Sequence, residues 1–138
     1  MFFKYSLLIL APVLLFLSCV EKEEHTFTYV VEGSVVSVLG KPVPGIQVVM
    51  HRSYTKWQET DTAYTDNLGK YNVIMTLTSR QRIFVLEFSD SGIEERPLPY
   101  KDTIKKVTYP EQRDDITLHQ RFVLQDTITL HTDIQVNL

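Results

Sequence analysis

The chain has 138 residues, a length typical of one domain, and 43% of them are apolar while 22% are charged. This balance is that of a chain that folds around a core rather than of a disordered or fibrous one. The 14 basic and 17 acidic residues give a formal charge of −3. Removing residues 1–18, which contain Lys4 and no acid, makes the charge −4. No basic stripe remains to neutralise phosphates, which argues against a nucleic-acid partner.

The first 18 residues differ in texture from the rest of the chain. Lys4 is their only charge, and an almost wholly apolar run follows from Ser6 to Phe16. This run has the length of a signal-peptide core and is short for a helix that crosses a bilayer. We therefore predict a signal peptide over residues 1–18, and the alternative is a retained N-terminal or anchor helix.

Cys19 is the only cysteine, so the chain can form neither an intrachain disulfide nor a multi-cysteine zinc site. A catalytic thiol needs a fixed base and a pocket, and Cys19 follows an apolar leader directly. Ser18 is a small residue of the kind that signal peptidases accept, so we predict cleavage between Ser18 and Cys19. The stretch 16–19 resembles the lipobox of bacterial lipoproteins. This resemblance implies that Cys19 is the lipid attachment site and that the protein is held on a membrane.

The next residues, Val-Glu-Lys-Glu-Glu at 20–24, predict a solvated tether, and we assign residues 19–26 to it. They also resemble the acidic surface-export signal of Bacteroidetes lipoproteins. That resemblance implies an outer-membrane lipoprotein exposed on the cell surface, and the alternative is a protein that faces the periplasm.

From residue 25 onward the sequence alternates between short apolar runs and turn signals. Phe27, Tyr29, Val31 and Val35 share one face of the first run, which we expect to be an inner strand at least in part. No later stretch has a convincing helical period. The runs expected to form strands are 25–38, 46–54, 62–65 (a short edge strand), 71–77, 82–89, 103–109 and two runs after residue 115.

These last two runs show the clearest alternation in the chain. Polar residues occupy every odd position from Thr127 to Asn137, which predicts a half-buried antiparallel strand. The run before it alternates as well, and Gln125-Asp126 lies between the two. We therefore expect a hairpin or a bend at Gln125-Asp126.

About seven short strands in roughly 110 residues predict a β-sandwich. Two turn motifs, Gly40–Gly45 and Thr65–Tyr71, resemble those of the carboxypeptidase-regulatory-like, or transthyretin (prealbumin)-like, modules. The resemblance implies an all-β fold, with one antiparallel Greek-key sandwich over residues 27–138.

The layout of the whole chain is similar to that of lipoproteins that accompany radical S-adenosylmethionine enzymes in Bacteroidetes. Phe88–Gly92 corresponds to part of a Phe-x-Asp-x-(Asp)-Gly segment of that group, although the second Asp and the glycine-rich continuation are missing. Membership implies that a radical enzyme is a partner of this protein or modifies it.

We find no motif for catalysis, a metal or a cofactor. His119 and His131 fall on the polar faces of their predicted strands, and they would face each other if those strands pair. Two solvated histidines are the more typical outcome of such a pattern. Asp61, Asp66 and Asp90 could converge on a calcium ion, but turn-forming roles are more typical of such aspartates. The transthyretin-like fold includes a hydrolase with a characteristic C-terminal tail, and this chain lacks that tail.

Trp57, Tyr54 and Tyr64, together with Tyr100, are candidates for an exposed aromatic patch that binds a glycan or an envelope protein. Packing in the core or at a sheet edge is the alternative. The sequence therefore predicts a non-enzymatic, lipid-anchored binding or structural module, and the alternative is a substrate or partner of a radical enzyme.

Overall fold

The structure is a computed structural model that describes residues 23–52, 60–92, 95–112 and 118–132. Within these residues the protein is all-β, and none of them forms a helix with the length and hydropathy needed to cross a bilayer. The described strands are β1 (Thr26–Ser37), β2 (Ile46–Arg52), β3 (Thr60–Tyr64), β4 (Lys70–Leu77), β5 (Ile83–Asp90), β6 (Thr103–Thr108) and β7 (His119–Leu130).

The strands form two sheets that share one core. Sheet A has the strand order β4-β1-β7, and sheet B has the order β3-β2-β5-β6. All pairs are antiparallel except β1 and β7, which run parallel. The prediction of an all-β fold with two packed sheets is confirmed, and the edge strand expected near Thr62 is β3.

The structure corrects two expectations about the C-terminal runs, namely a break at Gln125-Asp126 and an antiparallel partner for the last strand. β7 is one continuous strand across Gln125-Asp126, where we expected a hairpin or a bend, and it pairs in parallel from Thr26↔His119 to Ser37↔Leu130. The even-numbered positions face the core on both sides of Gln125-Asp126, so the strand keeps its phase. A parallel neighbour needs a long crossover, and the strands of sheet B supply it.

The core lies between the sheets and is built from alternate residues. The four β1 residues expected on one face are buried there, as predicted, and they pack against inward residues of both sheets. Each buried side chain of this size stabilises the fold by about 1.5–3 kcal/mol. The inward core residues of the other strands include Ile46, Val48 and Met50 on β2, Val73, Met75 and Leu77 on β4, Phe84, Leu86 and Phe88 on β5, and Ile128 and Leu130 on β7.

An aromatic cluster fills the part of the core near the start of β1. Tyr29 lies 4.8 Å from Phe84 and 5.1 Å from Tyr109 between ring centroids. The Tyr29 hydroxyl accepts a hydrogen bond from the Gln81 amide at 2.8 Å. The Tyr109 hydroxyl donates to the Val30 carbonyl at 2.7 Å. Burial raises the pKa of Tyr109, and the neighbouring Tyr29 raises it further.

The two turn motifs noticed in the sequence contact each other through Thr65. Its hydroxyl donates to the Val43 carbonyl at 2.7 Å and accepts from the Ile46 amide at 2.9 Å. Gly69 in the second motif has φ +71°, and an added Cβ would lie 2.5 Å from the Val35 carbonyl oxygen. Glycine at this position therefore lets the second turn approach β1.

The sandwich has two ends, which we name by their residues. The tether end carries the start of β1 at Thr26, the end of β4 at Leu77 and the end of β2 at Arg52. The distal end carries the turns 38–45 and 65–69. Twelve residues of β1 separate the two ends by about 40 Å.

Candidate functional site

A cleft of about 720 Å³ opens where the three strands of sheet A meet the end of β3. Gly33 lies at its centre, on the middle strand. Strand alternation turns the residues on either side of Gly33, and their cross-strand partners, toward the outside of the sandwich. These outward residues form two rows, Asn72–Glu32–Gln125 and Lys70–Ser34–Thr127, which we call the polar patch.

The six side chains of the polar patch are accessible and unengaged within the described part of the chain. Five of the residues are exposed and Ser34 is half-buried. None of the six side chains makes a hydrogen bond or an ion pair with another residue of the described ranges. In the tether half of the same face, by contrast, the hydroxyls of Thr28 and Thr76 are hydrogen-bonded at 3.1 Å.

One wall of the cleft comes from β3 and the turn that follows it. Tyr64 is 49% exposed, and its hydroxyl accepts a hydrogen bond from the Gln47 amide at 3.3 Å. Asp66 Oδ1 accepts from the amides of Leu68 and Lys70, both at 2.9 Å. That carboxylate therefore shapes the turn, while Tyr64 adds an exposed aromatic ring to the wall.

Tyr71 and Asp126 flank Gly33 on the inner face of sheet A, since both pair with it across the strands. The Tyr71 ring lies over Gly33 so closely that an added Cβ would be 2.3 Å from its Cζ and Oη atoms. A side chain here would force the Tyr71 ring or the strand to move, because the phenol occupies the volume that a Cβ would take.

Asp126 links the two sheets. Its Oδ1 lies 2.5 Å from Lys105 Nζ on β6. The Asp126 Oδ2 and Tyr71 Oη atoms are buried and have no hydrogen-bond partner among the described residues. Burial raises the pKa of Tyr71, and the charge of Asp126 raises it further, so the phenol stays protonated near neutral pH.

Two of the four residues of the predicted aromatic patch, Tyr64 and Tyr100, lie in the described part of the chain. Tyr64 is exposed and lines the cleft, whereas Tyr54 and Trp57 lie outside the described residues. Tyr100 does not join Tyr64, because it shortly precedes β6, at the edge of sheet B opposite to β3. Its ring centroid lies 5.2 Å from Arg96 Cζ. Cys19 and Ser18, the predicted lipidation and cleavage residues, also lie outside the described residues.

The two histidines do not face each other, and both are exposed, as the preferred interpretation of two solvated side chains predicts. His119 begins β7 and His131 directly follows its end, so about 40 Å of one strand separates them. His119 Nδ1 instead lies 2.7 Å from the Thr26 hydroxyl oxygen, at the tether end.

The three aspartates considered for calcium serve the backbone. Asp61 accepts from the Ile74 amide at 2.7 Å, at the free edge of β4. Asp90 Oδ2 lies 2.6 Å from the Arg96 guanidinium and accepts from the Tyr100 amide. Burial by itself would raise the pKa of Asp90, but these two groups and the Gly92 amide lower it below its usual value. Within the described residues, no three His, Cys, Asp or Glu side chains gather as metal ligands.

Sequence reasoning missed the polar patch and the inward-facing row Tyr71–Gly33–Asp126. Outward polar residues are normal on any half-buried strand, so the pattern gave no reason to single out these six. Gly33 within a strand was the available signal, since such a glycine often marks a close approach by another group. Asp126 was a second signal, because it occupies a core-facing position in the even-numbered phase of β7.

No known protein family matches the sequence, and no curated protein matches it. Among solved structures, a chlorocatechol 1,2-dioxygenase from Pseudomonas putida aligns with a TM-score of 0.52 at 11% identity, over 80% of this chain and 62% of that one. A catechol 1,2-dioxygenase from Acinetobacter sp. ADP1 has a TM-score of 0.49 at 13% identity, over 83% and 55% of the two chains. A 3-chlorocatechol 1,2-dioxygenase from Rhodococcus opacus 1CP has a TM-score of 0.47 at 10% identity, over 80% and 63%.

The chain therefore spans less than two thirds of each of these enzymes. At 11% identity the likeness to the Pseudomonas putida enzyme concerns the fold alone, and an enzyme's activity does not transfer with a shared fold.

Proposed function

We propose that this protein is a lipid-anchored, non-enzymatic envelope lipoprotein of a Gram-negative bacterium that binds a ligand through the polar patch. The observation that carries the binding role is the cleft around Gly33, with six neighbouring polar side chains that no described residue engages. Its volume lies within the range of small-molecule sites. The anchor is proposed from the apolar run, Cys19 and the acidic residues that follow it.

The positions of the tether and the cleft are compatible with this role. Only residues 20–25 separate Cys19 from β1, and six residues span at most about 20 Å. A lipid on Cys19 would therefore hold the tether end close to the membrane. Gly33 lies seven residues along β1, about 23 Å from Thr26 and toward the distal end. The polar patch would then stand clear of the lipid surface.

We further propose that the sandwich is transthyretin-like with Greek-key connections, and that the protein is exposed on the cell surface. Support for the first point comes from the two turn motifs and their contact through Thr65. Support for the second comes from the acidic residues at 21–24. A periplasm-facing orientation is the alternative.

The anchor is tested by Cys19→Ala, with Thr129→Ala on the exposed side of β7 as the matched control. Stable attachment needs two or more acyl chains, and the Cys19 variant lacks the residue proposed to carry them. We therefore expect this variant to leave the membrane fraction and the control to stay in it. Retention of the Cys19 variant in the membrane would overturn the lipid anchor. Protease treatment of intact cells then tests surface exposure, and full protection would place the domain in the periplasm.

The second candidate is a substrate or partner of a radical S-adenosylmethionine enzyme, which the Phe88–Gly92 segment favours. This segment ends β5, and Ser91 Oγ in it donates to the Gly45 carbonyl at 2.8 Å. Intact mass measurement of the native protein tests this candidate. A mass change beyond signal cleavage and acylation, located within the sandwich, would support the substrate role, and a mass explained by those two events alone would remove that role.

A further inference from the structure

We infer that the polar patch binds a short neutral oligosaccharide. This inference rests on the proposed binding role and assigns its ligand. Its basis is the chemistry of the six side chains, their spacing and their charge.

The side chains of the patch match the groups of a sugar. Asn72 and Gln125 each offer an amide that donates and accepts, while Ser34 and Thr127 offer hydroxyls that do both. A sugar hydroxyl also donates and accepts, so neighbouring hydroxyls can be engaged by such groups in pairs. The patch has no apolar side chain at its centre, whereas protein interfaces bury an apolar and aromatic core. Its composition therefore favours a polyhydroxylated ligand over a protein.

The spacing sets the size of the ligand. Three neighbouring strands place the ends of each row about 10 Å apart, and the two rows lie about 7 Å from each other. This footprint accommodates a di- or trisaccharide laid across the strands. Tyr64 at the wall provides an exposed aromatic ring against which a sugar face can pack.

The charge of the patch selects a neutral ligand. Glu32 and Lys70 are its only charged members, and they balance each other. Of the nearby carboxylates, Asp66 accepts two backbone amides and Asp126 pairs with Lys105. An anionic sugar on the outward face would meet the carboxylates of Glu32 and Asp66, and Lys70 is the one cation among the described residues that line the cleft. We therefore expect acidic sugars to bind more weakly.

The test uses the acylated protein purified in a detergent without sugar groups, titrated calorimetrically with maltotriose, cellotriose, xylotriose, mannotriose and chitotriose. We expect at least one neutral trisaccharide to bind with a Kd of about 0.1–1 mM. Trigalacturonic acid serves as the acidic comparison and should bind at least tenfold more weakly. Equal or tighter binding of the acidic sugar would overturn the neutral class, and failure of all five neutral sugars would overturn the inference.

Variants locate the site. Asn72→Ala and Gln125→Ala should each weaken binding by about fivefold or more, as expected for the loss of a ligand hydrogen bond. Thr108→Ala, an exposed outward residue of β6 at the opposite edge of sheet B, is the control and should leave the Kd unchanged. Sugar binding that is indifferent to Asn72→Ala and Gln125→Ala would overturn the assignment to this patch.

The outcome is independent of the anchor. If Cys19→Ala releases the protein but no sugar binds, the envelope role stands and the oligosaccharide inference fails. If a sugar binds at the patch but Cys19→Ala stays in the membrane, the ligand assignment stands and the lipid anchor fails.

Discussion

The two sheets treat their polar side chains differently. On sheet B, the Gln47 side chain hydrogen-bonds to Tyr64 and to Ser89, both at 3.3 Å. On the distal half of sheet A, the six outward side chains of the polar patch are free of such contacts within the described residues.

The same contrast extends to the groups between the sheets. Asp90 at the end of β5 is bound by a guanidinium and two backbone amides, while Asp126 on β7 has one oxygen without a partner. The Tyr109 hydroxyl has an acceptor and the Tyr71 hydroxyl has none. Tyr71 and Asp126 beside Gly33 thus keep polar atoms without a partner among the described residues, whereas Asp90 and the Tyr109 hydroxyl have theirs. Unused polar groups at a cleft are what a binding surface requires.

The largest expected effect is that of Gly33→Ala, which would disrupt sheet A at its centre. The new Cβ would lie 2.3 Å from the Tyr71 ring, so the ring or the strand must move. We expect a loss of about 2–3 kcal/mol in the free energy of unfolding, measured by urea denaturation. The midpoint temperature of thermal unfolding should fall by roughly 10–20 °C.

The matched background for this change is Tyr71→Leu, which shortens the side chain over Gly33. Adding Gly33→Ala to it should cost much less than in the wild type, because the clash with the phenol is gone. An equal cost in both backgrounds would show that the glycine is needed for the backbone rather than for the Tyr71 ring.

The sequence predicted most of the architecture because periodicity and turn chemistry are local signals. The first six strands, the inward face of β1 and both glycine turns follow from the spacing of Val, Tyr, Gly and Pro. The partner of β7 could not be predicted in this way. Its alternation fits a parallel or an antiparallel neighbour equally well, and the choice depends on contacts made across almost the whole chain.

The next prediction compares two buried tyrosines, of which only Tyr109 has a hydrogen-bond partner for its hydroxyl among the described residues. Tyr109→Phe removes a hydrogen bond to the Val30 carbonyl and should lower the free energy of unfolding by about 1 kcal/mol. Tyr71→Phe removes a hydroxyl without a partner and should leave that free energy unchanged or raise it by up to about 1 kcal/mol. Urea denaturation of the two variants measures the difference. Equal losses would mean that the Tyr71 hydroxyl does contribute to the stability of the fold.

A third comparison uses pH. The pKa of Asp90 is lowered in the folded protein, so its ionised form stabilises the fold above the pKa of the unfolded state. That stability is lost as the pH falls from about 4 through the lower folded pKa. Asp90→Asn should therefore be less stable than the wild type at pH 7, and the gap should shrink by about pH 2. Urea denaturation across this range measures the gap, and a gap that does not change with pH would contradict the role of the ionised carboxylate.

The site was harder to predict than the fold, because it depends on what the side chains do not contact. Asn72 and Gln125 look like ordinary outward residues in the sequence, as Gln47 does. Only the three-dimensional arrangement shows that Gln47 has two side-chain partners and that Gln125 has none among the described residues. A sequence pattern reports which face a residue occupies, but it does not report whether its hydrogen bonds are already made.

The smallest effect on stability separates these two glutamines. Gln47→Ala should lower the free energy of unfolding by about 0.5 kcal/mol, because two hydrogen bonds at the surface of sheet B are lost. Gln125→Ala should change it by less than about 0.3 kcal/mol, since its side chain supports no other described group. For sugar affinity we expect the reverse order. If Gln125→Ala destabilised the fold as much as Gln47→Ala does, the polar patch would belong to the structural network, and its side chains would not be available for a ligand.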